Sequence, residues 1–128
     1  MPINFERLDE AILLVTADGK IPEVEINAIF MDGVFPFCEA MMPNPVHLIY
    51  DISALDMEYE EFIEYLESVS KSRLLGNMPE NIKQHFLGTN KWIDRLDCWI
   101  NEHYGTDMRV FTDCDTALKF ARAHSQYS

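Results

Sequence analysis

The chain has 128 residues, 48% of them hydrophobic, and it carries 22 acidic against ten basic residues, a net charge of −12. This length predicts a single small globular domain over residues 1–128, with a core that needs no metal or disulfide. The charge argues against binding to nucleic acid or to anionic membranes, because both require lysine and arginine. The excess of negative charge lies in residues 1–72, which hold 15 acidic and three basic residues.

The N-terminus and the cysteines indicate a cytoplasmic protein. The first ten residues contain no basic segment followed by an apolar one, so we expect no signal peptide. The apolar runs reach four or five residues, far short of a membrane span. Cys38, Cys98 and Cys114 have no C-x-x-C spacing, so we expect free thiols and no structural metal site.

Strand and helix patterns alternate along the first half. Residues 3–8 predict an edge strand, and the apolar run 11–17 predicts a strand that ends at a turn. A helix is expected from Pro22, with a break near Phe35 because Gly33 and Pro36 interrupt the pattern. The almost continuously apolar segment 46–52 is typical of a central strand buried on both faces.

The second half continues the alternation. We expect helices capped by Asp56, by Asn90 and by Asp113 or Thr112, with Gly105 ending the second of them. Residues 76–81 read as a loop, and residues 82–87 and 108–111 as strands. The resulting order, ββαβαβαβα, predicts an α/β layer fold with a largely parallel sheet.

No catalytic motif is present: the chain lacks the nucleophile elbow, the phosphate-binding loop, the dinucleotide fingerprint and the zinc-protease helix. We therefore expect no enzyme activity, no cofactor and no metal. His47 and His85 lie on predicted strands and would meet only if those strands are neighbours. An enzyme would have to use these histidines, or Asp51 near the end of the central strand.

The segment from Asp56 to Glu67 is strongly acidic, with no basic residue before Lys71. Such a helix face is either a solvated surface or a docking surface for a basic partner. The candidate partner-binding residues are Asp56, Glu60, Glu61 and Glu64.

Residues 29–42 concentrate three phenylalanines and three methionines. Core packing, a self-association surface and a pocket for a small apolar ligand all fit this composition. The candidate ligand or dimer residues are Phe30, Met31, Phe35, Phe37 and Met41.

The segment L-I-Y-D-I-S-A-L (48–55), followed by an amphipathic helix, resembles the middle of a STAS domain, the module of anti-sigma-factor antagonists and sulphate transporters. Segments 86–96 and 104–120 resemble the C-terminal half of uncharacterised bacterial STAS-like proteins. The likeness spans roughly residues 10–123. It implies a STAS-like sandwich: a small mixed, mostly parallel sheet of four to five strands, with about four helices packed largely on one face.

This sequence departs from the pattern of the family at one place. Classical antagonists carry a phosphorylatable serine early in the helix after the central strand. Counted from Asp51, that place falls at residues 59–61, which contain no Ser or Thr. Glu60 puts a fixed negative charge there, although a phosphate carries more.

We therefore expect a cytoplasmic, non-enzymatic STAS-like module, homodimeric and acting through protein contacts. The alternative is a carrier of a small apolar ligand or lipid, because STAS-like domains share a rough likeness with lipid-transfer domains.

Overall fold

The computed structural model describes residues 3–20, 22–70, 81–104 and 108–125, in which strands and helices alternate in the predicted order. The strands are β1 (Ile3–Asp9), β2 (Ile12–Gly19), β3 (Val46–Leu55), β4 (Ile82–Leu87) and β5 (Arg109–Phe111). The helices are α1 (Glu23–Ile29), α2 (Phe35–Met41), α3 (Tyr59–Ser70), α4 (Ile93–Tyr104) and α5 (Cys114–Ser125). A π-helical turn (Phe30–Val34) joins α1 to α2.

The strands form a five-stranded sheet in which the spatial order is the chain order, β1-β2-β3-β4-β5. β1 pairs antiparallel with β2 at one edge, and the other neighbours are parallel. Parallel neighbours need a crossover, which is why a helix follows each of β2, β3 and β4. Leu48 and Ile49 of β3, on opposite faces, are both fully buried, so the predicted central strand is confirmed.

Alternate side chains of β3 divide the core into two layers. Leu48 packs in the core with the α1–α2 unit, and Ile52 packs with α3 and α4. Ile49 faces the other way, into a smaller core with Ala117 and Ala121 of α5. When α1, the π-helical turn and α2 are counted as one broken helix, three of the four helical units in the described residues cover one face. The prediction of helices packed largely on one face is confirmed; we name the opposite side the α5 face.

The predicted break near Phe35 is the π-helical turn. The backbone N–H of Phe35 donates to the carbonyl of Phe30, five residues earlier. Pro36 has no N–H to donate, so the widened turn falls directly before the missing donor. Gly33 brings the turn onto β1, because a Cβ at Gly33 would lie 2.5 Å from Cε1 of Phe5.

Two predicted helix caps are wrong. α3 begins at Tyr59, so Asp56 lies in the preceding loop, where its backbone N–H donates to the carbonyl of Gly19. α4 begins at Ile93, and the amide of Asn90 donates to the carbonyl of Ile52 at 3.1 Å instead of capping the helix. Asp56 connects its loop to the last residue of β2, and Asn90 connects its loop to Ile52 within β3. Sequence spacing does not show either contact.

The predicted cap of α5 is confirmed, because Oδ2 of Asp113 accepts the backbone N–H of Thr116 at 3.0 Å. The helix stop expected at Gly105 and residues 76–80 of the expected loop lie outside the described residues.

Gly33→Ala is expected to lower the free energy of unfolding by about 1–3 kcal/mol, because the added methyl group meets the Phe5 ring. Urea titration followed by circular dichroism measures the loss. In a Phe5→Leu background the same substitution should cost less, since the smaller side chain makes room. An equal cost in both backgrounds would contradict the predicted clash.

The three cysteines are free and should differ in reactivity. Burial raises the pKa of the Cys38 thiol to about 11, and the nearby Glu39 carboxylate adds to the shift. Burial also raises the pKa of exposed Cys114, with its neighbouring aspartates contributing. Iodoacetamide at pH 8 should therefore modify Cys98 first, Cys114 more slowly and Cys38 only after unfolding, because the thiolate is the reactive form. Peptide mass spectrometry reads the order, and native labelling of Cys38 as fast as Cys98 would disprove it.

Candidate functional site

α3 places its acidic side chains opposite its buried side. Phe62 is buried and packs edge-on against Phe86 of β4 and parallel to Trp92. The four predicted partner-binding residues are all exposed, three of them on the helix and one in the loop before it. We name them the acidic surface: Asp56, Glu60, Glu61 and Glu64.

Two carboxylates of the acidic surface also have contacts within the chain. Oε1 of Glu61 accepts the backbone N–H of Glu58 at 3.3 Å, at a helix N-terminus that favours negative charge. Oε1 of Glu60 lies 3.7 Å from the guanidinium of Arg95, and both side chains are more than half exposed, so solvent screens this pair. Within the described residues Glu64 makes neither a hydrogen bond nor an ion pair. The same holds for the Asp56 side chain, since the contact of Asp56 is made by its backbone N–H, so Glu64 and Asp56 are the two carboxylates of this surface that no described contact within the chain uses.

Arg95 is the residue of this surface that sequence reasoning missed. Its guanidinium lies over the ring of Tyr59, 4.0 Å from the ring centre, while Trp92 Nε1 donates to the carbonyl of Met57 at 3.1 Å. These contacts join the N-terminal ends of α3 and α4. The predicted strand order could have indicated this contact, because helices that follow neighbouring parallel strands begin at the same edge of the sheet.

The structure divides the Phe/Met segment between core and surface. Phe30 and Phe35 are 6% and 2% exposed and belong to the core on which the broken helix packs, so they do not line a surface. Phe37 and Met41 are partly buried, and Met31 is exposed on the π-helical turn. The predicted ligand or dimer surface can therefore use only Met31, Phe37 and Met41.

His47 and His85 do come together, since β3 and β4 are neighbours. Both side chains are buried on the α5 face, their rings stack, and Nδ1 of His47 lies 3.1 Å from Nε2 of His85. The backbone N–H of Arg109 donates to Nδ1 of His85 at 3.3 Å. The pair is therefore held within a hydrogen-bonded chain that runs from β5 to β3.

Asp51 and the exposed histidine His103 have local contacts. Asp51 lies four residues before the end of β3 and accepts the backbone N–H of Ser53 at 3.1 Å. His103 is exposed on α4, with Nδ1 2.8 Å from the carbonyl of Trp99. In the part of the chain that the structure describes, no group of three or more His, Cys, Asp or Glu could hold a metal ion. The side chain of His124 lies outside that part.

None of the helices in the described ranges combines the length and the apolar character that crossing a membrane requires.

No protein-family profile and no curated protein matches this sequence. A solved structure does: an uncharacterized protein of the DUF3478 family, with a SpoIIAA-like fold, from Shewanella loihica PV-4. The two chains superpose with a TM-score of 0.59 at 20% sequence identity, over 93% of this chain and 91% of that one. At this identity the likeness shows the fold alone. The present chain has a SpoIIAA-like, that is STAS-like, α/β fold, as the resemblance in its sequence implied.

Proposed function

We propose that this chain is a non-enzymatic protein-interaction module of the cytoplasm, whose acidic surface binds a basic surface of a protein partner. The observation that carries the proposal is the exposure of Glu60, Glu61 and Glu64 on one side of α3. Negative charge on a rigid helix steers a positively charged partner and fixes its orientation.

The spacing of the acidic residues supports this proposal. Glu60 and Glu64 are four residues apart, where like charges cost a helix about 0.2–0.5 kcal/mol. The cation within ion-pair reach of this surface among the described residues, Arg95, contacts Glu60 and not Glu64. A basic partner would supply the missing positive charge and relieve the repulsion.

The start of α3 supports an interaction that needs no phosphorylation. Tyr59, Glu60 and Glu61 occupy the place that the resemblance assigns to the phosphorylatable serine. Oε1 of Glu60 lies 3.7 Å from the guanidinium of Arg95, which itself lies over the Tyr59 ring. In our proposal the negative charge is therefore constitutive, and partner binding does not wait for a kinase.

Glu60→Lys/Glu64→Lys should leave the fold intact and abolish partner capture, since it places positive charge where the partner's positive charge docks. Tagged protein is used to pull down partners from a lysate of its native cells, and mass spectrometry identifies them. Capture by the wild-type protein should weaken as salt rises, because exposed charges are screened within about 8 Å at 0.15 M ionic strength.

Asp97→Lys/Glu102→Lys provides a matched control, because both residues are exposed on α4 and the net charge changes by the same amount. The control should capture the wild-type partner. Equal capture by the two variants, or equal loss, removes the acidic surface from the proposal. If no partner binds any of the three proteins, an apolar mass retained in native mass spectrometry would favour the ligand-carrier alternative.

We also propose self-association as a homodimer. The exposed side chain of Met31 and the partly buried side chains of Phe37 and Met41 offer apolar surface for a second copy. Met31→Glu should then shift the sedimentation coefficient from dimer to monomer in analytical ultracentrifugation. A monomeric wild-type protein contradicts this part of the proposal.

A further inference from the structure

We infer that the Tyr59 ring and the Glu60 carboxylate form a binding site for an arginine side chain of the protein partner, and that Arg95 occupies this site until the partner's arginine displaces it. The inference rests on the proposed function and deepens it, because it names the side chain through which a basic partner docks.

The structure shows a guanidinium held by these two groups. Cζ of Arg95 lies 4.0 Å from the centre of the Tyr59 ring, and Nη2 of Arg95 lies 3.7 Å from Oε1 of Glu60. The face of an aromatic ring attracts a cation through its quadrupole, and a carboxylate attracts it through charge. This pair of groups suits arginine better than lysine, because a planar guanidinium stacks on the ring while its edge nitrogens reach the carboxylate.

The Tyr59 ring is held in place by contacts other than those with Arg95. Tyr59 is the first residue of α3 and packs, partly buried, against the core beneath α3 and α4. Its ring centre lies 6.3 Å from that of Trp92, whose Nε1 donates to the carbonyl of Met57 at 3.1 Å. The ring therefore keeps its position when Arg95 leaves, and an incoming arginine meets a preformed surface.

Arg95 is held weakly enough to be exchanged. The side chains of Arg95 and Glu60 are 61% and 73% exposed, so water screens their attraction and the pair contributes little to folding. The distance of 3.7 Å between them is also too long for a hydrogen bond. Releasing Arg95 into water therefore costs little, and an arginine from outside can approach the carboxylate more closely.

Glu64 gives the partner an advantage over Arg95. It lies on the same side of α3 as Glu60, and no described contact within the chain uses its carboxylate. Arg95 forms an ion pair with Glu60 and not with Glu64. A basic partner brings more than one positive charge, so it can reach Glu64 while its arginine lies on Tyr59.

Occupation by Arg95 lowers the apparent affinity of the site, because a site that is free for part of the time binds in proportion to its free fraction. An exposed ion pair of this kind is only moderately favoured over its open state. Removal of Arg95 should therefore raise the affinity for arginine about two- to fivefold.

NMR titration of the ¹⁵N-labelled protein at low ionic strength tests the site, with the acetylated and amidated tripeptide Gly-Arg-Gly as the probe. The amide signals of residues 59–61 should shift, and Arg95→Ala should bind the probe about two- to fivefold more tightly than the wild-type protein. The matching tripeptide Gly-Lys-Gly should bind more weakly than Gly-Arg-Gly. Absence of these shifts, equal affinity of the two proteins, or equal binding of both peptides would overturn the inference.

Lys119→Ala is the matched control for charge, because Lys119 is exposed on α5, on the opposite side of the sheet, and its loss changes the net charge equally. This variant should bind Gly-Arg-Gly as the wild-type protein does. A gain equal to that of Arg95→Ala would assign the effect to net charge and reject the site.

Variants in the Arg95→Ala background test the two groups of the site. Glu60→Gln and Tyr59→Leu should each weaken binding of Gly-Arg-Gly, since one removes the carboxylate and the other removes the ring face. Glu102→Gln, at an exposed position of α4, should leave it unchanged. If Tyr59→Leu does not fold, the exposed Glu60→Gln decides, and undiminished binding by that variant would refute the site.

The displacement itself is read from the Nε–H signal of Arg95 in the wild-type protein, which the ring current of Tyr59 shifts. Saturation with Gly-Arg-Gly should move this signal to its position in Tyr59→Leu. A signal that stays in place at saturation would show that Arg95 is not displaced.

The two levels of the proposal fail in different ways. If Glu60→Lys/Glu64→Lys loses its partner in the lysate experiment but Gly-Arg-Gly does not bind Arg95→Ala, the arginine site is rejected and the acidic surface stands. If that double variant captures the partner normally, both are rejected.

Discussion

Burial of residues 46–49 of β3 on both faces is the constraint on which the rest of the structure depends, because a strand segment with no solvent-exposed face requires a covering layer on each side. Leu48 and Ile49, one on each face, are both fully buried. Parallel pairing with β2 and β4 then imposes crossovers, and these crossovers supply the covering helices. The layers are unequal: of the helices in the described residues, the broken α1–α2 helix, α3 and α4 cover one face, and α5 covers the other.

The same arrangement creates the acidic surface. α3 and α4 follow neighbouring strands, so their N-terminal ends meet and Arg95 reaches Tyr59 and Glu60. Helix N-termini favour carboxylates, which accounts for the Glu61 side chain accepting the backbone N–H of Glu58. That effect fades within the first turn and does not reach Glu64. A carboxylate that bonds to the backbone, such as Glu61, and one left to solvent, such as Glu64, look alike in the sequence. Only the second is fully available to bind a partner.

The α5 face combines a thin covering layer with the polar pair at its centre. His47 and His85 stack on each other there, with their facing ring nitrogens 3.1 Å apart, and the Arg109 N–H donates to Nδ1 of His85. Polar groups buried in an otherwise apolar layer contribute specificity, since a shifted register would separate them. A layer held by few contacts is also the one that opens at the least free-energy cost.

Period and composition determined the order of the elements, the central position of residues 46–52 and the break before Pro36, because these follow from local backbone chemistry and continuous apolar runs. The exposed side of α3 was also predictable, since Phe62 and the glutamates alternate with helical period. Only the tertiary structure decided which Phe/Met side chains are core: Phe30 and Phe35 turn inward and Met31 outward because the π-helical turn shifts the helical phase. It likewise decided that Asp56 and Asn90 anchor loops and that His47 meets His85, since contacts between residues far apart in the chain depend on strand order and register, which no local pattern encodes.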